Sequence, residues 1–134
     1  ALYIGYYCGL RISETLALEK EDVDFENNLI SVSKRLESKD LQRGLYVTSQ
    51  LKTECSRASI PMCEPLKEIL EEWFDYNKHE LICCKKNGDY IRYENLDRVT
   101  NKIANEYGFK FSSHMLRHTF STNLLEHNVS PKTC

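Results

Sequence analysis

The sequence predicts an α+β fold, mainly helical, in which helices pack with a small three-stranded antiparallel sheet. Two observations predict it. Apolar residues recur at three- and four-residue spacing in both end portions of the chain, the mark of amphipathic helices. Between them, three short runs from Leu29 to Met62 alternate apolar and polar residues at period two, the mark of half-buried strands. At 134 residues the chain is one domain, long enough to bury a core.

The first helix is Ala1–Cys8, an apolar segment without a visible start, and Gly9 is placed to end it in a left-handed turn. A short helix follows through Thr15-Leu16-Ala17-Leu18. Asn27-Asn28 supplies a turn. The strands are Leu29–Ser33, Leu45–Thr48 and a third ending at Ser59–Met62, with Glu37–Gly44 as a polar loop and Gln50–Arg57 as a hairpin tip. Pro65 sits where a helix start tolerates it, and Leu66, Ile69, Leu70, Trp73 and Phe74 form that helix's core stripe. His79–Cys84 reads as a short strand or extended piece. A helix over Tyr93–Tyr107 turns Leu96, Val99, Ile103 and Tyr107 inward, and Gly108 ends it. The last helix starts at Ser112 or Ser113, both suited to capping, and carries Leu116, Phe120 and Leu124 as its core stripe. Leu124, Leu125 and Val129 close it, with Pro131 beyond.

Composition narrows the function classes. No apolar run is long enough to span a membrane, and nothing at the start resembles a signal peptide, so a cytoplasmic location is expected. The six cysteines contain no C-x-x-C pair, and reduced thiols are expected. His79 with Cys83 and Cys84 lacks a second ligand pair at zinc spacing, so no metal and no other cofactor is expected. The net charge is −2, but it is unevenly spread. Glu14–Glu26 holds six acids and one base, whereas Lys34–Arg57 holds six bases and three acids. A basic strand region of this kind binds a polyanion locally despite an acidic total, and Lys34, Arg35 and Arg57 are the candidate contacts.

Three motifs carry the chemistry. On the last helix His114, Arg117 and Ser121 share a face distinct from the core stripe, so an imidazole and a guanidinium point the same way near a helix N-terminus. That corner suits a phosphate. Arg11, within Gly9-Leu10-Arg11-Ile12-Ser13-Glu14, sits at a tight junction between two helices. It reads equally as a surface arginine pairing with Glu14 and as an arginine held rigid by packing, with Glu14 orienting it. Lys52 lies on the hairpin tip, where a lysine is ordinarily a solvated charge but is also able to reach a neighbouring site.

In this order the three motifs resemble the catalytic domain of the tyrosine recombinases, the phage-integrase family, over nearly the whole chain. The resemblance implies residues 1–134 of a partial catalytic domain, without the family's N-terminal DNA-clamping domain and without its C-terminal tyrosine segment. It implies that Arg11, Lys52, His114 and Arg117 are catalytic, with Glu14 positioning Arg11, Lys52 acting as general acid and His118 mainly structural. All eight tyrosines precede the last helix, so none matches the family's nucleophile. The implied function is site-specific DNA recombination through a 3′-phosphotyrosyl intermediate, with double-stranded DNA as partner and a tetramer on DNA for the parent. The chain by itself is expected to be inactive and able to exist as a monomer. The alternatives are a non-catalytic DNA-binding relative and a DNA-relaxing enzyme of the type IB topoisomerase kind.

Overall fold

The computed structural model describes residues 1–38, 44–49 and 58–127. Its elements run α1 (Leu2–Cys8), α2 (Ile12–Thr15), a 3₁₀ turn (Lys20–Asp22), β1 (Val23–Asp24), β2 (Leu29–Val32), β3 (Arg35–Ser38), β4 (Leu45–Thr48), β5 (Ala58–Pro61), α3 (Glu64–Tyr76), α4 (Tyr93–Glu106) and α5 (Ser113–Glu126). The α+β class, mainly helical, holds. The core gathers Ile4 and Cys8 of α1, the Leu16–Leu18 segment after α2, Ile30 and Val32 of β2, and Leu66 and Leu70 of α3.

The three-stranded antiparallel sheet is present, but its membership differs from the expectation. Its order is β1-β2-β5. Ile30 pairs with Val23 on one side and with Ile60 on the other. Strand β1 hides in the acidic stretch, where it is only two residues long. Asp24 accepts main-chain N–H bonds from Glu26 and Asn27, and Asn28 takes a left-handed φ of 54°, so the expected Asn27-Asn28 turn forms between β1 and β2. Pro61 lies on the edge strand β5, where its missing N–H costs little.

Strand β4 pairs instead with β3, in a separate two-stranded ladder with Glu37 opposite Tyr46. The start of the expected Glu37–Gly44 loop is therefore strand. The reason is cross-strand chemistry: Arg35 and Glu37 share one face and pair, and the Tyr46 hydroxyl donates to Glu37 at 2.5 Å. The expected tip at 50–57 lies outside the described residues.

Helix α3 buries Leu66 and Leu70, with Ile69 and Phe74 half-buried. Trp73 is a rim residue rather than core: it is 38% exposed, and its indole N–H donates to the Ile82 carbonyl at 2.8 Å. Residues 79–84, expected as a strand or extended piece, run instead through bends, with isolated bridges from Leu81 to Glu19 and from Cys84 to Tyr90, and the Ile82 N–H donates to the Leu18 carbonyl at 3.0 Å. Cys83 is buried and Cys84 half-buried, and the His79 ring faces the Lys86 carbonyl. Helix α4 turns a different face inward from the one expected. Thr100 and Ala104 are buried with Leu96 beside them, while Val99, Ile103 and Tyr107 are exposed. The larger apolar residues Val99 and Ile103 each fall one position before this buried face.

Candidate active site

Helix α5 lies on α1, and two glycines set the approach. Leu116 packs over Gly5 and Phe120 over Gly9, each pair four residues apart on its own helix. This is the expected Leu116–Phe120–Leu124 stripe, half-buried throughout; Leu125 is exposed, and Val129 and Pro131 lie outside the described residues. Ser112 is the N-cap of α5, with extended backbone, although its hydroxyl makes no capping bond.

This packing brings Arg117 to the α1–α2 junction. Its Nη1 donates to the Gly9 carbonyl at 2.8 Å, across 108 positions of sequence. Gly9 ends α1 with φ 63° and ψ 20°, and its own N–H returns to the Gly5 carbonyl at 3.1 Å. Two residues on, Arg11 is the N-cap of α2. The two arginines, remote in sequence, therefore flank one turn of backbone. His114 sits one helical turn before Arg117, on the same side of α5 and exposed.

Arg11 is held by Glu14. One carboxylate oxygen accepts the Arg11 main-chain N–H at 2.9 Å, and the other accepts its Nη1 at 3.2 Å. The Glu14 side chain is 8% exposed and the Arg11 side chain 58% exposed. Both readings of Arg11 share this geometry: a buried carboxylate fixes one side of the guanidinium and leaves the remainder facing outward. Thr15, fully buried, donates from its hydroxyl to the Arg11 carbonyl and closes the short helix beneath.

The proposed DNA contacts fare differently. Lys34 does not offer its charge outward. Its ammonium pairs with Glu19, lies 3.1 Å from Asp22 Oδ2 and 3.8 Å from Glu21 Oε1, and its side chain is only 16% exposed. Burial pulls the Lys34 pKa down, and the bonds to Glu19 and Asp22 outweigh it, so the net direction is up. An ammonium matched by three carboxylates has its charge largely compensated here, so this placement lends the expectation for Lys34 no support. Arg35 pairs with Glu37, which leaves it partly neutralised. Lys52 and Arg57 lie outside the described residues, and His118 is exposed on α5.

Two features were not anticipated. The Gly9 carbonyl as a partner of Arg117 has no local signal. The use of Lys20 does have one: it opens the acidic turn as its lone base, and its ammonium reaches the carbonyls of Phe74 at 3.3 Å and Asn77 at 2.5 Å, capping the C-terminus of α3.

Comparison with known proteins bears on this arrangement. The phage integrase family model matches residues 1–134, the whole chain. The chain belongs to the phage integrase family. Among its relatives, the tyrosine recombinase XerA of Thermococcus onnurineus is 30% identical over 125 residues, covering 92% of the chain and 40% of the relative. The transposase of transposon Tn916 from Enterococcus faecalis is 28% identical over 141 residues, covering 92% of the chain and 34% of the relative. A solved structure of the Tn1549 transposon integrase, in complex with transposon right end DNA, superposes with a TM-score of 0.84 at 26% identity, over 98% of the chain and 46% of that protein. The chain thus spans less than half the length of each of these relatives.

Proposed function

We propose that this integrase chain supplies the phosphate-holding part of a DNA strand-exchange site, and that the protein containing it is a site-specific recombinase acting on double-stranded DNA. The observation that carries the reading is the 2.8 Å bond from Arg117 to the Gly9 carbonyl, which gathers two guanidiniums from opposite ends of the chain at one junction. An arginine keeps its charge at every working pH and presents a planar fork of donors. Two of them suit the non-bridging oxygens of a phosphodiester as negative charge builds in a five-coordinate transition state.

The chemistry balances without an energy source. A tyrosine hydroxyl attacks phosphorus, the bond to the 5′ oxygen breaks, and a 3′-phosphotyrosyl link forms. The attacking tyrosine comes from outside this chain. Lys52 gives a proton to the departing 5′ oxygen. The 5′ hydroxyl of a second DNA end then attacks the link and frees the tyrosine. His114 donates to a phosphate oxygen and assists proton transfer. Strand exchange between two duplexes calls for four such sites, hence a tetramer on DNA. Arg57 and the exposed part of Arg35 contribute phosphate contacts that position the duplex without reading its bases.

The test is substitution of either arginine. Arg11→Ala and Arg117→Ala, in the protein that contains this chain, each slow single-turnover DNA cleavage by roughly 10²–10³-fold, the loss expected for one transition-state donor. Cleavage at the unsubstituted rate by either variant contradicts the assignment.

A further inference from the structure

We infer that Gly9 is a positioning residue of the phosphate site: its carbonyl, presented by the left-handed end of α1, orients Arg117 and fixes its spacing from Arg11. The inference rests on the reading of Arg11 and Arg117 as phosphate-binding groups and adds the device that holds them in register.

Three observations on one residue carry it. The Gly9 carbonyl accepts from Arg117 Nη1 at 2.8 Å. Its direction is set by φ 63°, a left-handed conformation that residues with a Cβ adopt at a cost. The Phe120 ring closes over the same α-carbon: a Cβ built there would lie 2.3 Å from Phe120 Cδ1 and 2.9 Å from Cε1. Phe120 is three residues after Arg117 on α5, so the contact that seats the helix and the bond that aims the arginine share one turn. Backbone rather than a side chain is the partner here. A carboxylate in its place would neutralise the guanidinium, whereas a carbonyl fixes it and leaves its full charge and its other N–H donors for the phosphate.

Gly5 supplies the control. It lies on the same interface, one turn earlier, but a Cβ there meets Leu116 Cδ1 at 3.2 Å and Cβ at 3.7 Å, and its carbonyl bonds the Gly9 N–H rather than Arg117. Gly5→Ala disturbs the packing of α1 on α5 without touching the Arg117 bond.

The experiment compares Gly9→Ala, Gly5→Ala and Arg117→Ala in the protein that contains this chain. The readouts are DNA affinity, single-turnover cleavage at saturating duplex, and melting temperature. The expected result for Gly9→Ala is a fall in cleavage rate on the order of 10²-fold, the cost of misplacing a reacting group by about 1 Å, with duplex affinity little changed. Gly5→Ala, compared at the temperature where the two variants are equally folded, loses much less of its cleavage rate than Gly9→Ala.

A second measurement serves if Gly9→Ala folds poorly. In arginine-15N-labelled wild-type protein the Arg117 Nη atoms, held by a carbonyl, give separate resonances because rotation about Nε–Cζ is slowed. Averaged Nη resonances in the wild type, or equal losses of rate for Gly9→Ala and Gly5→Ala, overturn the positioning role. Unimpaired cleavage by Arg117→Ala has a different meaning: it overturns the site itself, and Gly9's role with it.

Discussion

Glu14 grips Arg11 at two places, taking the main-chain N–H at 2.9 Å with one oxygen and the guanidinium at 3.2 Å with the other. The same carboxylate therefore starts helix α2 and aims the arginine that the helix start carries. Replacing it with an amide separates these jobs poorly, because the amide nitrogen is a second donor facing a donor. Glu14→Gln is expected to lower stability by about 1.5–3 kcal/mol, the range for hydrogen bonds to a charged group. DNA cleavage falls with it. Urea denaturation and single-turnover cleavage measure the two effects, and an unchanged unfolding midpoint contradicts the account.

Lys34 ties the start of β3 to the 3₁₀ turn through Glu19 and Asp22. Lys34→Met leaves these carboxylates facing one another, and a loss of about 1.5–3 kcal/mol is expected near neutral pH. The pH dependence has a definite sign. The folded-state pKa of Lys34 is raised above the usual 10.5, so its contribution is complete below that value and is lost as pH rises through the folded value. The stability gap between wild type and Lys34→Met therefore narrows only in the alkaline range above the usual lysine value. In DNA binding, Lys34→Met leaves the salt dependence unchanged, because Lys34 releases no counterion from the duplex. A shallower salt dependence in the variant contradicts this.

Cys8 is buried in the α1 core, and burial, together with the neighbouring Cys63 thiol, pushes its pKa up to about 12. The nucleophilic thiolate is thus suppressed at any ordinary pH. Iodoacetamide near neutral pH is expected to label exposed Cys63 readily and Cys8 only after urea is added. Mass spectrometry of peptides distinguishes the two. The linkage runs with Lys34 in direction: the buried thiol's contribution is complete below the usual 9.0 and declines as pH rises from there towards about 12. Equal labelling rates for the two thiols under native conditions contradict the burial.

Lys52 is assigned the proton for the departing 5′ oxygen. Lys52→Ala is expected to slow cleavage of an ordinary duplex and to recover most of the loss on a 5′-phosphorothiolate duplex, whose sulfur leaves without protonation. Equal slowing on both substrates rules out the general-acid role.

Much of this molecule is legible in its residues, and the parts that are not have identifiable causes. The α5 site was readable because its information is local: His114 and Arg117 are one helical turn apart, and the Leu116–Phe120–Leu124 stripe says which way that turn faces. The Arg117–Gly9 bond was not, because nothing in a sequence pairs a guanidinium with a main-chain carbonyl 108 positions away. The ion pairs of Lys34 were not legible for a related reason. A charge count over 34–57 assigns it to a basic patch, whereas the chain folds it back onto acids at 19–22 that the same count placed in a different stretch. On α4 the large apolar residues Val99 and Ile103 outweighed Thr100 and Ala104 in the pattern, although the smaller residues are the ones that lie buried. The second half of β3 passed for a loop because Glu37 and Ser38 are polar, and only Tyr46 across the ladder explains why Glu37 lies in a strand.

The most direct test is trapping the covalent intermediate. The protein that contains this chain is mixed with a nicked suicide duplex bearing its own element's end sequence, denatured in SDS and resolved by electrophoresis. The account predicts a protein–DNA band that survives denaturation, is removed by protease, and is lost in Arg117→Ala although that variant still binds the duplex. A band of equal intensity in Arg117→Ala, or no band from wild-type protein that binds and bends the same DNA, contradicts a strand-exchange site built on Arg11 and Arg117.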